Sequence, residues 1–366
     1  MSKAGVFVDD KDKIFARLLS QRGVLEFTYV PVDTELALLA NRIITSDPAV
    51  VALDYRLDED VGSLSPDQTY KASAVAQQLR DKAVASPADD FPIVLVSAEE
   101  KIKEMFDPDR TAHDLFDRVL VKEDINKDAS AARTEILSLI GAYQVLTVDP
   151  RYKLETFLAA GPEDRIFVDI QELKIPVETA AAPHQVVGFV LKHLIAKPGL
   201  LLDAADAGAR MGITPQSFEA VQAKLADAKL QYSGQLSDGW PRWWTHRLDA
   251  WLTKLLDARP VTLTASERAE RLGLSIDVPL EAARSPWTGK SDEKIAFACA
   301  SCRRGAEVRH SVNAFEGPLP RYRVGRRICW DCVQTDRYKS ESPPLQTDEL
   351  DEQVAADVRA MEKPAH

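Results

Sequence analysis

Five short apolar runs, residues 5–8, 25–32, 50–53, 93–96 and 118–121, alternate with five segments of helical period, residues 14–21, 35–44, 70–84, 99–106 and 131–143. Runs this short and this apolar read as strands buried on both faces. Five successive βα units over the first 148 residues predict a doubly wound parallel α/β sheet with helices on both faces, and right-handed crossovers leave few topologies. In such a sheet the functional site lies beyond the carboxyl ends of the strands, where the strand order switches. What stands at those ends therefore decides the chemistry.

The first strand ends in Asp9-Asp10, the third presents Asp54, the fourth ends in Ser97 and the fifth in Lys122. Three clustered carboxylates repel one another unless a cation neutralises them, and hard oxygen ligands with retained water suit Mg²⁺. With a metal drawing charge from a phosphoryl oxygen, a carboxylate can attack the phosphorus of a phosphohistidine while a lysine and a hydroxyl hold the remaining oxygens. That is acyl-phosphate chemistry.

This ordered set resembles the receiver domain of two-component response regulators, a flavodoxin-like fold, over some two fifths of the chain. By that resemblance Asp9 and Asp10 bind Mg²⁺, Asp54 accepts the phosphoryl group, Ser97 hydrogen-bonds it and Lys122 pairs with it. The backbone carbonyl of Arg56 would complete the metal shell. The resemblance implies a histidine kinase or phosphotransfer protein as partner, and a phosphoacceptor rather than an enzyme, with at most self-phosphotransfer and autodephosphorylation. Three departures mark a divergent subclass, similar to receivers found beside unusual kinases in bacterial conflict and phage-defence gene clusters. Lys122 is followed by Glu123 where the family has proline, Val119 stands where an aromatic is usual, and the Asp54–Ser97 interval carries an acidic loop at 58–68 and an extra stretch at 87–91. The competing reading is a pseudo-receiver that kept its acids without taking phosphate. Asp12, Asp58 and Asp60 read as a solvated acidic rim. A haloacid-dehalogenase-like phosphatase also forms an aspartyl phosphate, but its two acids stand two residues apart on the first strand, whereas Asp9 and Asp10 are adjacent.

Residues 149–183 read as a linker with one helix and one strand. From 184 to 295 the pattern is mostly helical and winged-helix-like. Thr214 and Pro215 mark a helix start, Gly212-Ile213-Thr214 a turn between two helices, and two strands around Ser237-Asp238-Gly239 would form a wing. On DNA, Gln216, Ser217, Glu219, Gln222 and Lys224 of the second helix would face the bases. Yet residues 184–257 hold eight basic and seven acidic side chains, little attraction for phosphates, so dimerisation or docking is the competing use and a homodimer one outcome. Trp244, Leu248, Trp251, Leu252 and Leu255 recur at helical spacing and read as a core face. His184, His193 and His246 read as structural.

All four cysteines lie in Cys299-x2-Cys302 and Cys329-x2-Cys332. Two such knuckles complete the tetrahedral all-thiolate shell of a structural Zn²⁺, closed and non-catalytic, and residues 296–340 resemble a β-rich zinc ribbon. Between the knuckles Arg303, Arg304, Arg309, Arg321, Arg323, Arg326 and Arg327 form the only basic patch of a chain whose net charge is -11. The patch would contact nucleic-acid phosphates or an acidic partner, or would merely solubilise the module. The expected output is DNA binding, with a phosphate-sink or protein–protein adaptor role as the alternative. Residues 341–366, acidic and opened by Pro343-Pro344, read as a mobile tail with at most one frayed helix. No run approaches a bilayer-spanning length and the start is too acidic for a secretion signal, so a cytoplasmic protein without a membrane partner is expected.

Overall fold

Five parallel strands, β1 (Lys3–Val8), β2 (Leu25–Val30), β3 (Val50–Asp54), β4 (Ile93–Ser97) and β5 (Arg118–Val121), form one sheet in the order β2-β1-β3-β4-β5. In this computed structural model residues 2–11, 13–33, 35–57, 70–109, 111–149, 151–341 and 343–362 are described; Asp12, Asp58, Asp60 and the loop at 58–68 lie outside them. The register runs Val8 against Val30 and Leu53, then Asp54 against Val96 and Ser97 against Val121. Side chains of a strand alternate between faces. Val6, Val8, Val51, Leu53, Ile93 and Leu95 share one core cluster, while the alternate residues Phe7, Val50, Ala52, Val94 and Val96 are equally buried, so both faces are covered as the continuous apolar runs require.

The helices between the strands are α1 (Ile14–Leu19), α2 (Leu36–Thr45), α3 (Ala72–Ala85) and α4 (Glu99–Lys101), the last continuing as a π-helical turn over Ile102–Phe106. After β5 the chain enters α5 (Lys122–Lys127) at once and then α6 (Ser130–Val148). Without a proline behind Lys122, nothing prevents the strand from running straight into a helix. Gly5 is required by close approach, since a Cβ there would lie 2.7 Å from the Phe27 ring.

Residues 149–183 do not contain the expected strand. They form α7 (Leu154–Phe157), α8 (Arg165–Val168) and α9 (Gln171–Glu178), which bury Leu154, Phe157, Val168, Leu173 and Val177; α10 (Pro183–Val190) packs on α6 and α9. These residues belong to a first compact unit of residues 1–191 with 234–240. Its interior also holds a polar knot. Arg80 on α3 donates to Asp90 Oδ1 (3.1 Å), to Asp117 Oδ2 (2.7 Å) and to the carbonyls of Phe91 and Leu115; the Tyr143 hydroxyl donates to Asp117, and the backbone N–H and ring of His184 bond the other oxygen of Asp90.

The second unit, residues 192–233 and 241–366, opens with β6 (Leu201–Leu202), α11 (Ala204–Met211) and α12 (Pro215–Asp227). Gly212 ends α11 in the left-handed region (φ +77), its N–H bonding Ala209 and that of Ile213 bonding Gly208, and the Thr214 side chain caps α12 as expected. The two strands expected around Ser237-Asp238-Gly239 are not formed. Gln231 bridges Trp243, β7 (Trp243–Trp244) pairs with β6, and residues 234–240 are turns that belong to the first unit. Helix α13 (Thr245–Leu256) buries Leu248 and Leu252 with Trp244 beside them, confirming the core face. On α14 (Ala265–Ile276) the buried Arg268 has only carbonyl partners, those of Thr264, Arg210 and Ile295; burial pushes its pKa down to about 10. Two hairpins, β8 (Ile295–Ala298) with β9 (Gly305–Glu307) and β10 (Ser311–Asn313) with β11 (Arg327–Cys329), precede α15 (Trp330–Gln334). The segment read as a mobile tail contains α16 (Glu352–Ala360), whose Ala355 and Val358 are buried in the same cluster as Cys299, Cys329 and Cys332. Among the described residues no helix is long and apolar enough to cross a membrane.

Candidate functional site

At the carboxyl edge of the N-terminal sheet the residues read from the strand ends converge. Ligand oxygens of Asp9, Asp10 and Asp54 lie within 4.8 Å of one another. Asp9 and Asp54 are 1% and 2% exposed, and Ser97 is fully buried. Lys122 Nζ donates to Asp9 Oδ2 (3.1 Å) and forms an ion pair with Asp54 Oδ1 at 2.9 Å. The Lys11 N–H donates to Asp9 Oδ1 and the Tyr29 hydroxyl to the Asp9 carbonyl, which fixes the first strand end. Arg56 is half-buried and bridges Lys71.

Burial pushes the Asp54 carboxyl up; Lys122 pulls it back and Asp9 adds to the rise. Burial alone would lower the Lys122 ammonium, but Asp54 and Asp9 outweigh it and hold it above its ordinary value. The two shifts favour a charged lysine serving an acid pair that gains from a further cation. The residues fit a hard divalent ion. They also fit an anion beside it, because the Ser97 hydroxyl is buried with no hydrogen-bond partner.

Two aromatic neighbours escaped the sequence reading. The Phe15 ring lies 5.1 Å from Lys122 Nζ, and Tyr55, next to Asp54, is fully buried with its hydroxyl bonded to the Met105 carbonyl and its ring edge-on to Phe106. The signal for Tyr55 was its alternation with Leu53 and Leu57, which put the three in one apolar cluster; Phe15 gave none.

The strand order, parallel register and acid-rich strand ends define the N-terminal unit as a flavodoxin-like α/β fold with a receiver-like site. No family model matches the chain, and no curated protein matches it. Among solved structures, the signal receiver domain of the response regulator NarL from Mycobacterium tuberculosis aligns at 21% identity over 40% of this chain and 97% of its own, with a TM-score of 0.25. A LuxR-family two-component response regulator from Aurantimonas aligns at 12% identity over 40% of this chain and 86% of its own, with a TM-score of 0.24.

The four cysteines also converge, with all sulfurs within 4.8 Å and the pairs Cys299–Cys332 and Cys302–Cys329 at 3.8 Å. A regular tetrahedron with zinc–sulfur arms of about 2.3 Å has edges of about 3.8 Å. The module departs from a ribbon of two β knuckles: the first pair occupies the β8–β9 turn, but the second spans the end of β11 and the first turn of α15.

The basic patch is largely consumed within the fold. Arg303 bridges Asp203 and Asp206, Arg304 pairs with Asp331, and Arg309 with Glu293. Arg323, Arg326 and Lys197 converge on the buried Glu316, while Arg327 bonds Ser311 and Asn313. Arg321 is exposed. Glu219 and Gln222 of α12 line, with Arg303 and Arg304, a cavity of about 1070 Å³.

Proposed function

We propose that this chain is a response-regulator-like signalling protein that takes a phosphoryl group on Asp54 from a histidine kinase or phosphotransfer protein. The observation that carries the reading is the Lys122 ammonium spanning Asp9 and Asp54 beside the unpartnered hydroxyl of Ser97. In the transfer the phosphohistidine P–N bond breaks, the imidazole nitrogen keeps the electron pair and takes a proton from solvent, and an Asp54 oxygen forms the new P–O bond. Asp9, Asp10 and Asp54 would hold Mg²⁺, which supplies neutralising charge; the carbonyl of Arg56 is its fourth proposed protein ligand. Lys122 then pairs with a phosphoryl oxygen and Ser97 donates to another. With Val119 in place of an aromatic, Tyr55 offers another path outward, since it joins the acceptor strand to the π-helical turn through Met105 and Phe106. Incubation with acetyl phosphate and Mg²⁺ is expected to label the wild type and leave Asp54→Asn unlabelled. Label retained by that variant would refute the assignment.

The consumed arginines favour a protein-docking or phosphate-sink output over a DNA one. A zinc-ribbon-like module whose guanidinium groups are held by carboxylates of its own compact unit gains little from phosphate neutralisation. Random duplex DNA at low salt is therefore expected to show no mobility shift with the full chain. A shift that weakens as salt rises would restore the DNA reading. Cys299, Cys302, Cys329 and Cys332 would hold one structural Zn²⁺ in this output half.

A further inference from the structure

Beside the four-cysteine cluster, and sharing no residue with it, lies a second set of metal-ligating groups. Glu293 precedes β8, Glu307 ends β9, and His310 closes the turn between β9 and β10. One oxygen of each glutamate and one imidazole nitrogen lie within 4.8 Å of one another. The glutamate side chains are only 7% and 3% exposed, and that of His310 17%. Their supports are those of ligands held in place. The Ser285 hydroxyl donates to Glu307 Oε1 (2.7 Å), the Thr288 hydroxyl to Glu293 Oε1 (3.2 Å), and His310 Nδ1 lies 2.5 Å from Glu307 Oε1.

Charge does not close within this group. With a neutral imidazole it carries two buried negative charges, and among the described residues the guanidinium paired with them is that of Arg309, whose side chain is 65% exposed and which reaches Glu293. Glu307 Oε2 is buried with no hydrogen-bond partner. A buried carboxylate oxygen left without a partner is destabilising unless a cation or donor meets it. The His310 ring is fixed 5.0 Å from that of Trp330, which itself meets Trp287 edge-on, so the imidazole cannot swing freely away.

We propose that Glu293, Glu307 and His310 bind a second divalent transition-metal ion, distinct from the one held by the cysteines. Two carboxylates and an imidazole suit Zn²⁺ or Mn²⁺ rather than the soft all-sulfur site next door. Three protein ligands leave coordination positions for water, the arrangement of an open site.

The test is metal analysis of the full chain after loading with excess Zn²⁺ and gel filtration, with millimolar Mg²⁺ present throughout so that the acidic strand-end site is occupied. The wild type is expected to retain two Zn²⁺ per chain. His310→Gln and Glu307→Gln should each retain one, whereas Cys299→Ser with Cys329→Ser, which unfolds the segment that carries both sites, should retain none. Loading with Co²⁺ separates the two, since only the cysteine site gives a sulfur-to-metal charge-transfer band, and that band should persist in His310→Gln. His310 is at the rim, so this variant should keep the wild-type circular dichroism. One Zn²⁺ in the wild type would overturn the proposal, leaving a His310–Glu307 ion pair; so would two Zn²⁺ in both the glutamine variants.

Discussion

Changing Cys299 and Cys329 to serine is expected to unfold the segment from β8 to α16 while the N-terminal sheet stays folded. The apolar cluster of that segment is small, made of Ala306, Val312, Ala314, Ile328, Val333, Tyr338, Ala355 and Val358 around three of the cysteines themselves. So few side chains cannot offset the backbone entropy of ordering the two hairpins and two helices around them. Cys299, Cys329 and Cys332 belong to that cluster, so a Zn²⁺ ion that drew the four sulfurs together would also assemble the core. Structural zinc sites of this kind bind with about 10–16 kcal/mol of apparent free energy, and that binding is the folding free energy. Limited proteolysis should then cut within 295–360 and spare the sheet, and the Trp330 contribution to near-ultraviolet dichroism should vanish. A variant as resistant to protease as the wild type would mean that the hairpins stand without the ion.

The second large effect belongs to the N-terminal unit. Arg80→Met should lower its stability by about 3–5 kcal/mol, because it removes the one cation between two buried carboxylates and leaves both charges unmatched. Asp90 and Asp117 are 2% and 3% exposed at their side chains and Arg80 5%, so solvent cannot take over. The tie is mutual: Asp117 and Asp90 hold the Arg80 guanidinium protonated against the effect of burial. Urea unfolding followed by far-ultraviolet dichroism should show the midpoint of the sheet-bearing unit fall sharply, with the slope little changed. An unchanged midpoint would show that the knot contributes nothing to stability. Because His184 on α10 binds Asp90 from the far side, the loss should loosen α10 as well as α3.

The sheet was legible because burial on both faces leaves an apolar run in the inner strands β1, β3 and β4, while the edge strands β2 and β5 keep shorter, partly exposed ones, and Asp9, Asp54, Ser97 and Lys122 stand where these runs stop. The four-cysteine cluster was legible from spacing alone. Other features were hidden for identifiable reasons. Helices α7 and α8 are four residues each, too short to display a period, and α9 carries Pro176 in its interior. Helix α16 buries only Ala355 and Val358, so its composition reads as tail. The fate of the arginines depends on partners remote in sequence, Asp203 for Arg303 and Asp331 for Arg304, which no local pattern announces. The Glu293–Glu307–His310 group was missed for the same reason: its members have no motif spacing and meet only once the β8–β9 hairpin closes.

The seating of α16 has a practical side. A chain cut after residue 340, where composition places a boundary, would strip Ala355 and Val358 from the apolar flank of the cysteine centre and break the Arg359 link to the Tyr338 hydroxyl. What looks dispensable is the lid on the metal core, and shortened versions would present a sticky, oxidisable thiol cluster to solvent.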